Sequence, residues 1–314
     1  MAVIVAEYLG VRTDTGIHIE PLNVNKTSGS VGKPILQCPF KNSHCDKAKR
    51  GDKPVCSLRD AATGELWIVC SHRLCATQKG SPNNPIHLNE HQKGMLHAVA
   101  KEIFDPAITR QEVLVNREVP VPVTQNSDYS ADYVMWRRNP QFPTVSNPDR
   151  PIVLEMQGGG ETTSTGDLTK HITDWENGLV ALTTPVNKTA PLVTNAWRRQ
   201  QEQFLVKGNA SMLTGGRMVF CIGSMIYDYL MPRLTTTTIF PNLRNANWTL
   251  ALLTLVEDTS SPPPQMPASA PNSIPLKIDP ARTFFTNYGF FVQAITNQGT
   301  ACNSMFQGPY VDLT

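Results

Sequence analysis

Residues 130–136, SADYVMW, and 151–160, PIVLEMQGGG, are the stretches on which the fold of this 314-residue chain turns. Tyr133–Trp136 and Pro151–Gln157 read as two core strands, the second stopped by Gly158-Gly159-Gly160. Alternate residues of a strand share a face, so Ile152, Leu154 and Met156 form an apolar set suited to a core. Val153, Glu155 and Gln157 point the other way, which puts a carboxylate and an amide side by side at the strand's C-terminal end. Asp132 opens the preceding strand 23 positions before Glu155, a separation that a β-hairpin with a long loop spans. Carboxylates converging from adjacent strands suit Mg²⁺, a hard cation that takes oxygen ligands and keeps waters. Such an ion lowers the pKa of bound water and neutralises charge on a phosphate under in-line attack. Acidic residues at strand ends are more often simply solvated, so the pair by itself leaves both readings open. Asp128, the rival to Asp132, lies among turn formers ahead of the strand.

The elements around this hairpin alternate between helix and strand. Asn89 caps a helix with Gln92 three residues on, Met95, Leu96, Val99 and Ile103 repeat at helical spacing, and Pro106 ends it. The segment 113–123 is extended and confined by Pro120 and Pro122 to a sheet edge or an irregular strand. Asn195–Val206 reads as a helix, Arg217–Ile226 as a strand, Trp248–Val256 as a buried run, 258–282 as a proline-rich loop and Phe284–Ile295 as strand-like alternation. The pattern predicts an α/β protein with a mixed central sheet and flanking helices.

Five of the seven cysteines fall between Cys38 and Cys75. Cys38, Cys45, Cys56 and Cys70 follow the spacing C-x6-C-x10-C-x13-C, with Cys75 five residues further on. Clustered thiols in a reducing compartment mean a metal more often than disulfides. Thiolates accept iron or zinc, and the spacing does not choose between them. Buried free thiols are the alternative, and His44 and His72 neighbour the candidate ligands. Residues 1–80 thus read as a loop-rich four-cysteine metal-binding module and 81–314 as the larger domain.

Lys and Arg total 28 and Asp and Glu 26, a net charge of +2, and charged residues are 17% of the chain. Charge-driven disorder is excluded. The near-zero balance is a cancellation: 1–80 carries +4, 81–187 carries −5, 188–244 carries +5 and 245–314 carries −2. The acidic segment holds Asp132 and Glu155, and the two basic segments that flank it are natural phosphate-contacting surfaces. The most apolar stretch, 218–231, is cut by Asp228 and falls short of about 18 uninterrupted apolar residues, so no membrane span is expected. The N-terminus lacks a basic region before its apolar run, which places the expected location in the cytoplasm.

The order CPF, Cys45, VCS, IVCSHRL, the helix ending AKEIF, then Asp132, then Glu155-Met156-Gln157, resembles the NotI-like type II restriction endonucleases over most of the first 160 residues. The resemblance implies a restriction-endonuclease-like core of the PD-(D/E)xK kind, cutting both strands of double-stranded DNA with Mg²⁺ at a specific, GC-rich palindrome. It makes Asp132 and Glu155 the Mg²⁺ ligands and Cys38, Cys45, Cys56 and Cys70 the ligands of one structural iron or zinc ion, with Cys75 extra. Gln157 stands where the wider superfamily has lysine, and Ala131 where it has proline. Glutamine neither acts as a base nor carries charge, but its amide orients a water. Glu102, near the buried face of its helix, is a candidate third carboxylate or a helix-end glutamate without a role.

Cutting a palindrome with one site per chain calls for a twofold homodimer in a bacterial cytoplasm. The helix NAWRRQQEQFLVKGN places Trp197, Phe204 and Leu205 on one face and leaves Arg198, Arg199 and Gln203 to read bases or merely to face water. Arg137 and Arg138 end the Asp132 strand as phosphate contacts or as a solvated loop. Two other functions stay open, a catalytically inactive DNA-binding protein with a structural four-cysteine site and a metal-stabilised structural protein.

Overall fold

The structure, a computed structural model, describes residues 1–15, 36–50, 52–121, 129–138, 150–160, 162–235, 243–260 and 273–296. Its principal elements are β1 (Ala2–Tyr8), β2 (Val55–Asp60), β3 (Leu66–Ile68), α1 (Glu90–Ile103), β4 (Val113–Pro120), β5 (Ser130–Arg137), β6 (Ile152–Gln157), α2 (Thr165–Glu176), α3 (Val193–Leu213), β7 (Arg217–Gly223), α4 (Ser224–Thr235), β8 (Leu250–Glu257), β9 (Leu276–Thr286) and α5 (Tyr288–Thr296). Six strands form a mixed sheet in the order β9-β8-β7-β6-β5-β4. β7 runs parallel to β6 and β8, and the outer pairs are antiparallel. The protein is therefore mixed α/β, with helices against both faces of its central sheet.

β7 has no polar alternation, because both of its faces are covered. Met218, Phe220 and Ile222 join Phe204 of α3 in one buried cluster. Val219 and Cys221 join Leu154, Met156 and the α1 residues Met95, Leu96 and Val99 in the other. The Asn89–Gln92 capping box forms at the start of α1, and β4 lies at the sheet edge. A second sheet pairs β1 with β2 and β2 with β3, all antiparallel. Val5, Leu58 and Trp67 from these strands share the cluster of Phe220, so the boundary read at residue 80 runs through a common core. Among the described residues no helix is long and apolar enough to cross a membrane.

Two elements near the C-terminus differ from the sequence reading. The proline-rich loop ends earlier than expected: 261–272 lie outside the described residues, and β9 already starts at Leu276. Pro280 is tolerated because β9 is an edge strand whose pairing with β8 shifts between Leu253 and Leu255, beside that proline. The alternation expected over Phe284–Ile295 stops at Thr286, and α5 follows. Its helical spacing turns Phe291, Ala294 and Ile295 onto the core, where Phe291 packs on Trp197 and Phe204.

A buried ion pair ties the small sheet to the rest. Arg73 Nε lies 2.7 Å from Glu7 Oε2, with both residues fully buried. Ser57 Oγ and the Ile274 amide donate to the same carboxylate at 2.7 and 2.8 Å, meeting the need of a buried charge for full hydrogen bonding. His91 of α1 then holds the short helix Ser71–Cys75 by donating Nε2 to the carbonyls of Arg73 and Leu74, each at 3.1 Å. Burial first, and the Arg73 charge second, lower the His91 pKa to about 3. His91 is thus neutral in the fold while the unfolded chain takes up a proton below pH about 6.5. Stability should fall by about 1.4 kcal/mol per pH unit through this group as pH drops from about 6.5 toward about 3. Urea unfolding of His91→Gln between pH 7 and 4.5 is expected to show a shallower decline than the parent, and equal slopes would remove His91 from the account.

Candidate active site at the open end of the hairpin

β5 and β6 pair as Met135↔Ile152, Val134↔Val153 and Tyr133↔Leu154. Beyond Tyr133 the side chains take over the bonding of the main chain. The Asp132 N–H donates to Glu155 Oε1 at 3.1 Å, and the Met156 N–H donates to Asp132 Oδ2 at 2.7 Å. Each carboxylate thereby satisfies an amide of the opposite strand. Glu155 is 1% exposed and meets Lys207 of α3, 4% exposed, whose Nζ lies 2.7 Å from Glu155 Oε2. Burial, and then the charge of Asp132, push the Glu155 carboxyl upward while Lys207 pulls it back. Burial likewise raises Asp132, against the Met156 amide and Lys207. Gln157 Nε2 is 3.4 Å from the same Glu155 Oε2.

Asp132, Glu155 and Gln157 open on a cleft of about 410 Å³, lined across from them by Ser71, His72, Gln200 and Gln203. Gln200, Gln203 and Lys207 fall on one face of α3, at spacings of three and seven residues. Trp197 and Phe204 occupy the adjoining stripe of the same inward side and enter the buried cluster, so the polar stripe beside them faces the carboxylates. Gln200 Nε2 donates to the Gly158 carbonyl at 3.2 Å, and its buried Oε1 has no partner among the described residues.

The glycines after β6 are a condition of this geometry. A Cβ on Gly158 would stand 2.9 Å from the Ser71 amide nitrogen, and one on Gly159 would fall inside the Trp67 indole. The Gly159 amide donates to the Ile68 carbonyl at 2.7 Å. Only bare backbone lets the chain of β3 and Ser71 come this close.

Cys38, Cys45, Cys56 and Cys70 line one cavity of about 210 Å³. Val69, Ser71 and His72 wall both this cavity and the carboxylate cleft. His72 Nε2 lies 2.7 Å from Asp46 Oδ2, which also pairs with Lys41. Burial raises the thiols of Cys38 (to about 12), Cys56 and Cys70. Among the described residues no group of three or more His, Cys, Asp or Glu has the arrangement of a metal site. Cys75 lies apart from the four, its Sγ 3.1 Å from Tyr133 Oη, and Cys302 lies outside the described residues.

The remaining candidates are dispersed. Glu102 does not reach the cleft: it sits in the last turn of α1, paired with Arg244 and lining a different pocket with Trp248 and Phe285. Its carboxylate is taken there by Arg244, which comes from outside the hairpin. Arg137 and Arg138 lie at the end of β5 opposite Asp132, Arg137 beside Glu112 at 3.6 Å and Arg138 Nε donating to the Gln111 carbonyl at 3.1 Å. Arg198 is exposed on α3, and the Arg199 side chain and Asp128 lie outside the described residues. His44 is exposed and bonds Gln37 at 3.2 Å.

Two groups bearing on the site went unread in the sequence. One is Lys207. The other is Glu118, which lies outside the cleft opposite Asp132 in the β4–β5 register with a left-handed φ of 48°; its carboxylate accepts from the Lys79 amide at 3.2 Å and raises Asp132 electrostatically from there. Comparison with family models and with curated proteins finds no match, so the functional reading rests on the site's own chemistry.

Gly158→Ala and Gly159→Ala should each destabilise the protein by about 2 kcal/mol or more, as overpacking against backbone and a buried indole does. Gly166→Ala, near the start of α2, would place its Cβ in open space with nothing within 4 Å. That change should be neutral or stabilising by about 0.5–1 kcal/mol. Denaturant midpoints check the contrast, and three equal midpoints would deny the close approach.

Proposed function

We propose that the protein is a Mg²⁺-dependent endonuclease that hydrolyses phosphodiester bonds in both strands of double-stranded DNA at a specific site. The observation that carries this reading is the convergence of Asp132 and Glu155 at one end of a cleft, locked by hydrogen bonds to each other's strands. Two carboxylates are a hard oxygen set, and they leave the other positions around Mg²⁺ to water and phosphate, as that ion prefers. Asp132 and Glu155 would hold the ion, which would supply a water of lowered pKa and neutralise charge on the phosphate. Gln157 and Gln200 orient the attacking water by hydrogen bonding, since neither amide takes a proton.

The mixed sheet with flanking helices is compatible with this reading, and the order of its motifs resembles that of NotI-like endonucleases. Arg198 and Gln203 stand on the helix that covers the cleft and serve as base or phosphate contacts. A twofold homodimer presents two clefts to the two strands of a palindrome. Cys38, Cys45, Cys56 and Cys70 line one cavity, and as thiolates they would hold iron or zinc as a structural group. Such an ion would fix the Val69–His72 wall that the two cavities share.

Digestion of phage or genomic DNA with Mg²⁺ is expected to give discrete fragments, lost with EDTA and reduced at least about 1,000-fold in Glu155→Ala. DNA shifted in a gel but never nicked would support a non-catalytic binder, and cutting by Glu155→Ala would sink the site assignment. Cys56→Ser is expected to lose the bound iron or zinc, measured by elemental analysis, together with folding. A well-folded Cys56→Ser with full metal content would refute that ligand set.

A further inference from the structure

We propose that Lys207 is the cation of this site, delivered by α3 to the place that Gln157 on β6 leaves uncharged. The inference rests on the endonuclease reading and concerns how that site is charged and held. Lys207 belongs to a different element from the hairpin and lies 52 residues beyond Glu155 in the chain. Its side chain is 5% exposed and that of Glu155 1%, with Nζ to Oε2 at 2.7 Å. A lysine on an ordinary helix surface keeps its ammonium in water, and burial is tolerated only beside a compensating charge. Lys207 also lines an apolar groove with Val153, Val206 and Ala131, while its ammonium meets the carboxylate.

The charge arithmetic gives the lysine a purpose beyond packing. With both carboxylates ionised, Asp132, Glu155 and Lys207 together carry a net charge of about −1, which a divalent cation converts to about +1, opposite in sign to a phosphodiester. Without Lys207 the loaded set is neutral and has no net attraction for the charge that builds up on the phosphate.

Lys207 Nζ and Gln157 Nε2 also approach the same oxygen, Glu155 Oε2, from helix and strand at 2.7 and 3.4 Å. A lysine at either position therefore reaches one point. Lys207 acts through Glu155 as a positioning residue: it fixes Oε2 and leaves Oε1 turned to the Asp132 amide.

The test compares the parent with Lys207→Met, Lys207→Arg and the double variant Lys207→Met/Gln157→Lys on plasmid DNA in Mg²⁺. DNA affinity is read with Ca²⁺ in place of Mg²⁺, and thermal midpoints report folding. Lys207→Met is expected to fold, to bind DNA and to lose about 100-fold or more in single-turnover cleavage rate. Lys207→Arg should keep a measurable part of the rate, and the double variant should regain at least about tenfold over Lys207→Met. A Lys207→Met protein that cuts at the parent rate overturns the proposal. So does a double variant that folds and binds DNA but cuts no faster than Lys207→Met, because a purely structural lysine is not replaced from another strand. Should Lys207→Met fail to fold, the double variant decides alone: restored folding and cutting support the proposal, and an unfolded or inactive double variant overturns it. A parent protein that never cuts DNA counts against the endonuclease reading itself, an outcome distinct from these.

Discussion

Asp132 and Glu155 are held together where β5 and β6 part, each accepting a backbone N–H from the other's strand, and the surrounding architecture answers to the cost of burying them. Two adjacent carboxylates away from water repel each other and lose hydration. The fold compensates with one buried ammonium and two amides. None of these is local in sequence to both acids. Lys207 comes from α3, which is anchored by Trp197 and Phe204, on the stripe next to Lys207, in the cluster that also holds Phe220 of β7. The aromatic core thus sets the height of the helix above the strands, and the helix sets the charge of the cleft.

A second constraint comes from the opposite wall. The chain from β3 to the Ser71–Cys75 helix passes so close to the end of β6 that Gly158 and Gly159 leave no room for side chains. On its far side this same chain segment presents Cys70 to the thiol cavity, and on its near side Ser71 and His72 to the carboxylate cleft. The segment is clamped from below by the Glu7–Arg73 pair and by His91. Order among the four thiols is therefore order in the cleft wall, one residue away. A soft-metal group placed in that cavity would act on the cleft through the position of this wall.

How far the sequence revealed this depends on whether the signal was local. Alternation of Ile152, Leu154 and Met156 and the Asn89–Gln92 cap were legible because each is written within one strand or one helical turn. The facing of Asp132 and Glu155 was legible too, since a hairpin's register follows from two neighbouring strands. β9 was hidden by Pro280, which only its edge position and register shift allow. α5 was hidden because Phe290, Phe291 and Val292 favour strand locally and were turned to helix by packing on Trp197 and Phe204. Lys207 was invisible for a further reason. On an amphipathic helix a lysine reads as outward, and only the tertiary position of two acids makes its inward placement favourable. Glu102 misled by the converse route, as a buried-side glutamate that met Arg244 rather than the hairpin.

The two cavities also keep their donors apart in a way that bears on metal choice. Two carboxylates line one and four thiols the other, a difference by which a hard ion and a soft one would be told apart if they bound. Cys75 is the exception to test against, a thiol lining the oxygen cleft. Burial raises its pKa to about 12 against the lowering effect of Tyr133, whose hydroxyl lies 3.1 Å from the sulfur. Burial raises Cys38 of the other cavity as far, so what sets Cys75 apart is its neighbour Tyr133 and its distance from the other thiols, not its acidity. The cleft thus sets two carboxylates among amides and the His72 imidazole, a lining richer in oxygen than the thiol cavity and better suited to a hard cation than to a soft one.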